Sequence, residues 1–300
     1  MVLRATAVVA VVCTVACDPD STTGPFGQPD VRPIVFLRLE NGWSLFTVSP
    51  RGSASTRLNL SMTETLFPAL SPDGSKLAFV VESSPGGVYV GAADGSAARL
   101  VYPGWTDRIT WSPDATRLAL AINGDIIVVP LDGSTPQSIT DSIDLYAGYP
   151  SWSSRGRIAF DTRGPFSASS GIYTMAIDGS DLRLTVPDEG TDTRDPAWSP
   201  DGSRLAFAFG GYGASSIYTV AADGSDRRRV TPEPEWGFGW TDLAPAWAPS
   251  GDWIAFSREH ILCSGAQCQS RYDIMVVRSD GRDARNLTAD AAWGGVRPSW

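Results

Sequence analysis

Apolar and polar residues alternate along most of this chain in runs too short for helices. Lys76–Val81, Arg117–Ile122, Arg157–Thr162, Arg204–Phe209 and Asp252–Ser257 are rich in β-branched and aromatic residues and have strand length. A second run follows each: Val88–Ala93, Asp125–Leu131, Ile172–Ile177, Ile217–Ala222 and Asp273–Arg278. Asp-Gly then comes at Asp94, Asp132, Asp178, Asp223 and Asp280, the dipeptide that favours a tight hairpin. A short closing run follows, as at Arg183–Val186 and Arg285–Thr288.

Each first run is preceded by a heading. The headings are Pro68-Ala-Leu-Ser-Pro-Asp-Gly, Ile109-Thr-Trp-Ser-Pro-Asp-Ala, Pro150-Ser-Trp-Ser-Ser-Arg-Gly, Pro196-Ala-Trp-Ser-Pro-Asp-Gly and Pro245-Ala-Trp-Ala-Pro-Ser-Gly. Their third positions, Leu70, Trp111, Trp152, Trp198 and Trp247, recur roughly every forty to fifty residues, a period that signals a repeat architecture. In Ser-Pro-Asp-Gly the proline presets a turn and the glycine is free to go left-handed. Each unit therefore reads as a four-stranded antiparallel meander, which is one propeller blade. The heading tryptophans are expected between neighbouring blades, as core.

The first unit has its later strands, Ile34–Leu39, Trp43–Val48 and Thr56–Leu60, without a heading, and Pro298-Ser-Trp300 is a heading without a unit. The two halves complement each other. The expected fold is all-β, a six-bladed β-propeller of four-stranded antiparallel blades over residues 34–300, its ring closed by the C-terminal strand completing blade 1 and so losing its open edges.

Before it, residues 1–16 carry one charge, Arg4, and the apolar run Ala5–Val15, an export signal too short to span a bilayer as a helix. Thr14-Val15-Ala16-Cys17 resembles a bacterial lipobox, which implies acylation of Cys17; plain signal-peptidase cleavage is the alternative. Residues 17–33 are polar and rich in Pro, Gly, Ser and Thr, a flexible tether. Cys263 and Cys268 share one loop and are expected to form a local disulfide in an oxidising compartment. A metal site there would need more ligands than His260 supplies.

The Pro-x-Trp-Ser-Pro-Asp-Gly, Ile-Tyr and Asp-Gly-Ser pattern resembles the TolB-type, WD-like propeller repeat over about Ile34 to Trp300, most fully from Pro196 to Thr231. The resemblance implies a cell-envelope protein. Members such as TolB carry a further domain ahead of the propeller, where residues 17–33 offer only the tether. Related peptidases carry a hydrolase domain beside it.

Composition narrows the chemistry. The formal charge is −9 and the sole basic run is Arg227-Arg228-Arg229, in a predicted outer strand, so nucleic acid is not expected as a partner. A Ser-His-Asp triad would have to use His260, the single histidine, which falls in the cysteine insertion as a surface residue. No catalytic residue, metal or cofactor is assigned. The acidic pairs Asp141/Asp144, Asp188/Glu189, Asp192/Asp195 and Glu233/Glu235 leave a carboxylate-based glycan hydrolase as the alternative enzyme class.

In such a meander all length variation falls on one face, in the second-to-third loops and blade-to-blade connections, and insertions on one face often mark the binding side. The connections hold Trp105, Asp107 and Arg108; Tyr146 and Tyr149; Asp192, Arg194 and Asp195; Trp236, Trp240 and Asp242; and Trp293 and Arg297. These residues are expected to ring the channel mouth and hold a protein or peptide partner, since Trp, Tyr and Arg dominate protein contacts. Packing of Trp236 and Trp240 over a neighbouring blade is the competing reading. A carbohydrate ligand stacked on the same aromatics is the alternative function. The protein is expected to be an exported, monomeric envelope lipoprotein, attached to the membrane through its N-terminal lipid only.

Overall fold

The computed structural model describes residues 30–40, 42–52, 54–60, 62, 64–106, 108–162, 170–190, 192–211, 213–234, 240–264, 267–289 and 295–300, without the side chains of 262–264, 267 and 268. Residues 1–29 with Cys17, and the candidate residues Asp107, Trp236 and Trp293, lie outside the described residues, as do the side chains of Cys263 and Cys268. Every regular element among the described residues is a strand.

The first strands are β1 (Ile34–Leu39), β2 (Trp43–Val48) and β3 (Thr56–Arg57). A meander follows of β4 (Thr65–Leu70), β5 (Lys76–Val81), β6 (Gly87–Ala92) and β7 (Arg99–Tyr102). The next is β8 (Ile109–Trp111), β9 (Arg117–Ile122), β10 (Asp125–Pro130) and β11 (Gln137–Ser138). Then come β12 (Ala147–Trp152), β13 (Arg157–Thr162), β14 (Gly171–Ala176) and β15 (Arg183–Pro187). Longer strands follow: β16 (Asp192–Trp198), β17 (Arg204–Gly211), β18 (Ala214–Ala221) and the short β19 (Arg228–Arg229). The last are β20 (Trp240–Trp247), β21 (Trp253–Ser264), β22 (Gln267–Arg278), β23 (Arg285–Asn286) and β24 (Val296–Ser299).

Four sheets have four strands each, in the orders β24-β1-β2-β3, β4-β5-β6-β7, β11-β10-β9-β8 and β12-β13-β14-β15. The fifth runs through eight strands, β16-β17-β18-β20-β21-β22-β23 with β19 on β18. One parallel pair, Ser215↔Thr241, joins its two halves, where separate meanders were expected. The Ser215 hydroxyl also donates to the Asp242 carbonyl at 2.8 Å, so the longer β18 reaches across to its neighbour. Around the centre β4, β8, β12, β16, β20 and β24 follow one another, and β24 meets β4. This is an all-β propeller arrangement.

The chain's last strand runs antiparallel to its first, with Val35 opposite Ser299 and Leu37 opposite Val296. The Ser299 hydroxyl accepts the Leu70 N–H at 2.8 Å and the Trp300 indole donates to the Arg32 carbonyl at 3.0 Å. Arg32, assigned to the tether by its composition, also donates to the Pro72 carbonyl at 2.8 Å. Arg32 is thus tied to the propeller at both its carbonyl and its side chain.

The core is a set of wedges between adjacent meanders. Trp152 packs with Ala119, Ile126 and Val128 of the preceding meander and Ile158, Phe160 and Met175 of its own. Trp198 and Trp247 repeat the arrangement one and two meanders on. The indoles of Trp111 and Trp247 donate to the Ala69 and Ala197 carbonyls of the preceding inner strand, at 2.8 and 3.0 Å.

One element departs from its expected form. Cys263 and Cys268 stand on strands rather than in a loop: β21 runs to Ser264 and β22 starts at Gln267, with Cys263 opposite Cys268. His260 is accordingly a half-buried strand residue opposite Arg271, its Nε2 3.6 Å from an Asp273 oxygen. The basic run is exposed as expected, and each arginine faces a carboxylate: Arg227 meets Glu189, Arg228 meets Asp226 and Arg229 meets Glu233.

Candidate functional site

The heading that starts each inner strand also builds the channel wall. The residue just before the heading proline has a positive φ in every case: Phe67 (49°), Tyr149 (48°), Asp195 (55°), Ala244 (50°) and Arg297 (55°). L-residues adopt this region at a cost, and it recurs where a structure holds a side chain for a purpose. The ladder shifts register at the same places, between Leu66 and Ala69, Gly148 and Ser151, Arg194 and Ala197, and Leu243 and Ala246. Such bulges re-aim side chains. Arg108, before the proline-less heading at Ile109, holds the equivalent position in β8's meander.

These six positions meet in the channel. The Arg297 guanidinium lies over the Phe67 ring at 4.7 Å and the Tyr149 ring at 5.4 Å, and its Nη2 donates to the Tyr149 hydroxyl at 3.1 Å. Arg297 follows β24's first residue and Tyr149 lies on β12, with β4 and β8 between them around the ring, so the contact spans the channel. Arg108 approaches the Tyr149 ring at 5.7 Å. Burial lowers its pKa from the usual value, opposed chiefly by the charge of Asp195 and reinforced by Arg297.

Buried carboxylates tie neighbouring meanders together. Asp161 accepts the Asp195 N–H at 3.0 Å, and Asp195 in turn accepts the Ala244 N–H at 3.1 Å. The Ser257 hydroxyl accepts the Arg297 N–H at 2.8 Å. A carboxylate or hydroxyl here satisfies the N–H that each bulge withdraws from its ladder.

On the face of the inter-blade connections a cavity of about 560 Å³ opens against this ring. Of the candidate residues, Tyr149, Asp192, Arg194, Asp195 and Arg297 line it together, joined by Trp43, Leu243, Ala244, Ser257, Tyr272 and Val296. Arg194 pairs with Asp192 at 2.5 Å. The Tyr272 hydroxyl donates to Glu259 at 2.8 Å, which fixes its ring at the wall.

Other candidates fall elsewhere. Trp105 and Tyr146 stand on the same face, 56% and 57% exposed. Trp105 meets Phe67 edge-on at 5.9 Å. Tyr146 lies over Gly124, where a Cβ would come within 2.6 Å of its ring. Asp242 does not ring the mouth: it is fully buried and bound by Arg258 through both oxygens, at 2.7 and 2.8 Å. Burial raises its pKa and Arg258 opposes that. The same guanidinium lies 4.6 Å over the Trp240 ring, so Trp240 packs as part of the wall.

Sequence reasoning missed Trp43, Phe67, Ala244 and Tyr272. Phe67 and Ala244 had a usable signal, their place before a heading proline. Trp43 and Tyr272 had none, since ring closure and the β21–β22 hairpin bring them in. Among the described residues no group of three or more His, Cys, Asp or Glu is placed to hold a metal ion. No helix there is long and apolar enough to cross a membrane.

No family model matches the chain. It is 30% identical over 181 residues to a protein TolB homolog of Chlorobium luteolum, a stretch covering 60% of this chain and 32% of that protein. The chain therefore matches about a third of the length of this curated relative. Among solved structures, TolB from Acinetobacter baumannii superposes with a TM-score of 0.67 at 18% identity, over 90% of this chain and 67% of that one. An oligogalacturonate lyase in complex with manganese does so with a TM-score of 0.53 at 16% identity, over 85% of this chain and 74% of that one. These likenesses show a TolB-like β-propeller fold, one that an enzyme shares.

Proposed function

We propose that this protein is a non-catalytic binding module of the bacterial cell envelope that holds a protein or peptide partner on the connection face of a six-bladed propeller. Two observations support the blade count. The eight-stranded sheet divides at the single Ser215↔Thr241 pair into two meanders. With the other four sheets these supply the inner strands β4, β8, β12, β16, β20 and β24.

The binding role rests on one observation above others: Trp105 and Tyr146 are more than half exposed on the face that carries the cavity. Large aromatics left in water beside a concave site gain their energy from a partner rather than from folding. The TolB-type resemblance supports an envelope location, and the export signal of residues 1–16 with Cys17 supports a lipid-anchored one. A disulfide between Cys263 and Cys268 fits the same compartment; their direct opposition across an antiparallel hairpin suits the short Cα separation a disulfide needs.

The test is crosslinking of the full-length protein in a bacterial host, beside a Trp105→Ala/Tyr146→Ala variant. Both side chains are exposed, so the variant is expected to melt as wild type does. A discrete partner crosslinked by wild type and reduced about tenfold or more in the variant is the expected result. Equal crosslinking by both, or none by either, would remove this face from consideration.

A further inference from the structure

The six equivalent ring positions differ most at Ala244. The others carry Phe67, Arg108, Tyr149, Asp195 and Arg297, which fill their share of the channel. Ala244 fills almost none, and the cavity lies against it. Its floor is the Arg297–Tyr149 contact that crosses the channel.

The polar groups here are only partly satisfied. Asp195 is 5% exposed and lines the cavity; one of its oxygens takes the Ala244 N–H, and the other accepts no hydrogen bond among the described residues. The Arg297 guanidinium donates to the Tyr149 hydroxyl and makes no other hydrogen bond or ion pair among them. A carboxylate oxygen open to the cavity accepts from water until a ligand hydroxyl takes that place with a charge-assisted hydrogen bond.

The charge is balanced: Arg108, Arg194 and Arg297 stand against Asp161, Asp192 and Asp195. A ligand with net charge of either sign would leave one of these groups opposed at close range in a poorly solvated space. The walls are aromatic on two sides, Trp43 and Tyr272, and Trp43 is 37% exposed at the rim. A ligand that fits offers adjacent donors and acceptors, no net charge, and an apolar ring face.

We propose that this cavity is a binding site for a neutral sugar, one hydroxyl donating to Asp195 and a neighbouring oxygen accepting from Arg297, with the ring against Trp43. It does not rest on the protein-partner reading, whose residues Trp105 and Tyr146 lie outside the cavity lining.

Calorimetry and saturation-transfer NMR on the full chain test it, with glucose, galactose, N-acetylglucosamine and maltose as neutral probes and galacturonate, lysine and glutamate as charged ones. At least one neutral sugar is expected to bind more tightly than every charged probe. Asp195→Asn keeps an acceptor for the Ala244 N–H but turns an amide donor toward the ligand, and is expected to weaken binding about tenfold or more. Trp43→Ala, at an exposed rim position, is expected to weaken it as well, while Asp94→Asn on the opposite face leaves it unchanged. Thermal melts establish that each variant is folded. Failure of every neutral sugar to bind at millimolar concentration, preference for a charged probe, or wild-type binding by both folded cavity variants would overturn the proposal.

Discussion

The heading tryptophans share one place in the repeat but not one set of bonds. Trp247 donates its indole N–H to the Ala197 carbonyl, whereas the Trp198 indole nitrogen is buried without a partner among the described residues. The two side chains are almost equally buried. Replacing either by phenylalanine removes a similar volume from an inter-blade wedge, but only Trp247→Phe removes a hydrogen bond. We expect Trp247→Phe to cost about 1–2 kcal/mol more than Trp198→Phe in chemical denaturation. Equal costs would mean that packing alone fixes these residues. The core role of the tryptophans was legible from their period, because a repeat must bury the same position each time. The difference in bonding was not, since it depends on small offsets between neighbouring sheets.

The turns after the headings act as elements in their own right. In three of them the serine hydroxyl donates to the aspartate, which also accepts from the residue two positions on: Ser71 to Asp73, Ser112 to Asp114, Ser199 to Asp201. These hydrogen bonds, the serine's first, hold each carboxyl at about 2, below its ordinary value. A carboxyl depressed by folding stabilises the fold fully above its unfolded pKa of about 4, and that contribution is lost as pH falls through about 2. The triple variant Asp73→Asn/Asp114→Asn/Asp201→Asn should therefore be less stable at neutral pH and show a flatter decline in stability between about pH 4 and 2. A decline as steep as in wild type would show that other carboxylates govern the acid limb. Turns of this kind were readable because their chemistry is local. The β21–β22 hairpin was not: the sequence from Cys263 to Cys268 is polar and glycine-containing, which reads as a loop, whereas β21 runs to Ser264 and β22 starts at Gln267 through the Cys263↔Cys268 pairing.

At the scale of the whole molecule, the closing strand joins three meanders. β24 pairs with β1, Ser299 caps the Leu70 N–H of β4, and the Arg297 N–H reaches Ser257 of β21. Trp300 sits 7% exposed in a wedge with Ile34, Phe36 and Ile274. Removing residues 295–300 exposes that wedge and frees an edge of β1. The loss should be at least about 3 kcal/mol, with a less cooperative thermal transition. An unchanged melt would mean that the ring holds without its closing strand. The candidate site was half legible for a related reason. Tyr149, Asp195 and Arg297 carry the heading's own signal, but only the assembled ring sets Arg297 across from Tyr149 and leaves space at Ala244.

That closure also dictates when the protein can become whole. The indole of Trp300 finds its acceptor 268 positions back along the chain. Until Val296–Ser299 are made, β1 keeps an unsatisfied edge, open to pairing with any other strand nearby. Contacts of such long sequence separation form slowly, after the local hairpins. The last event in assembly is therefore the joining of the first strand to the last.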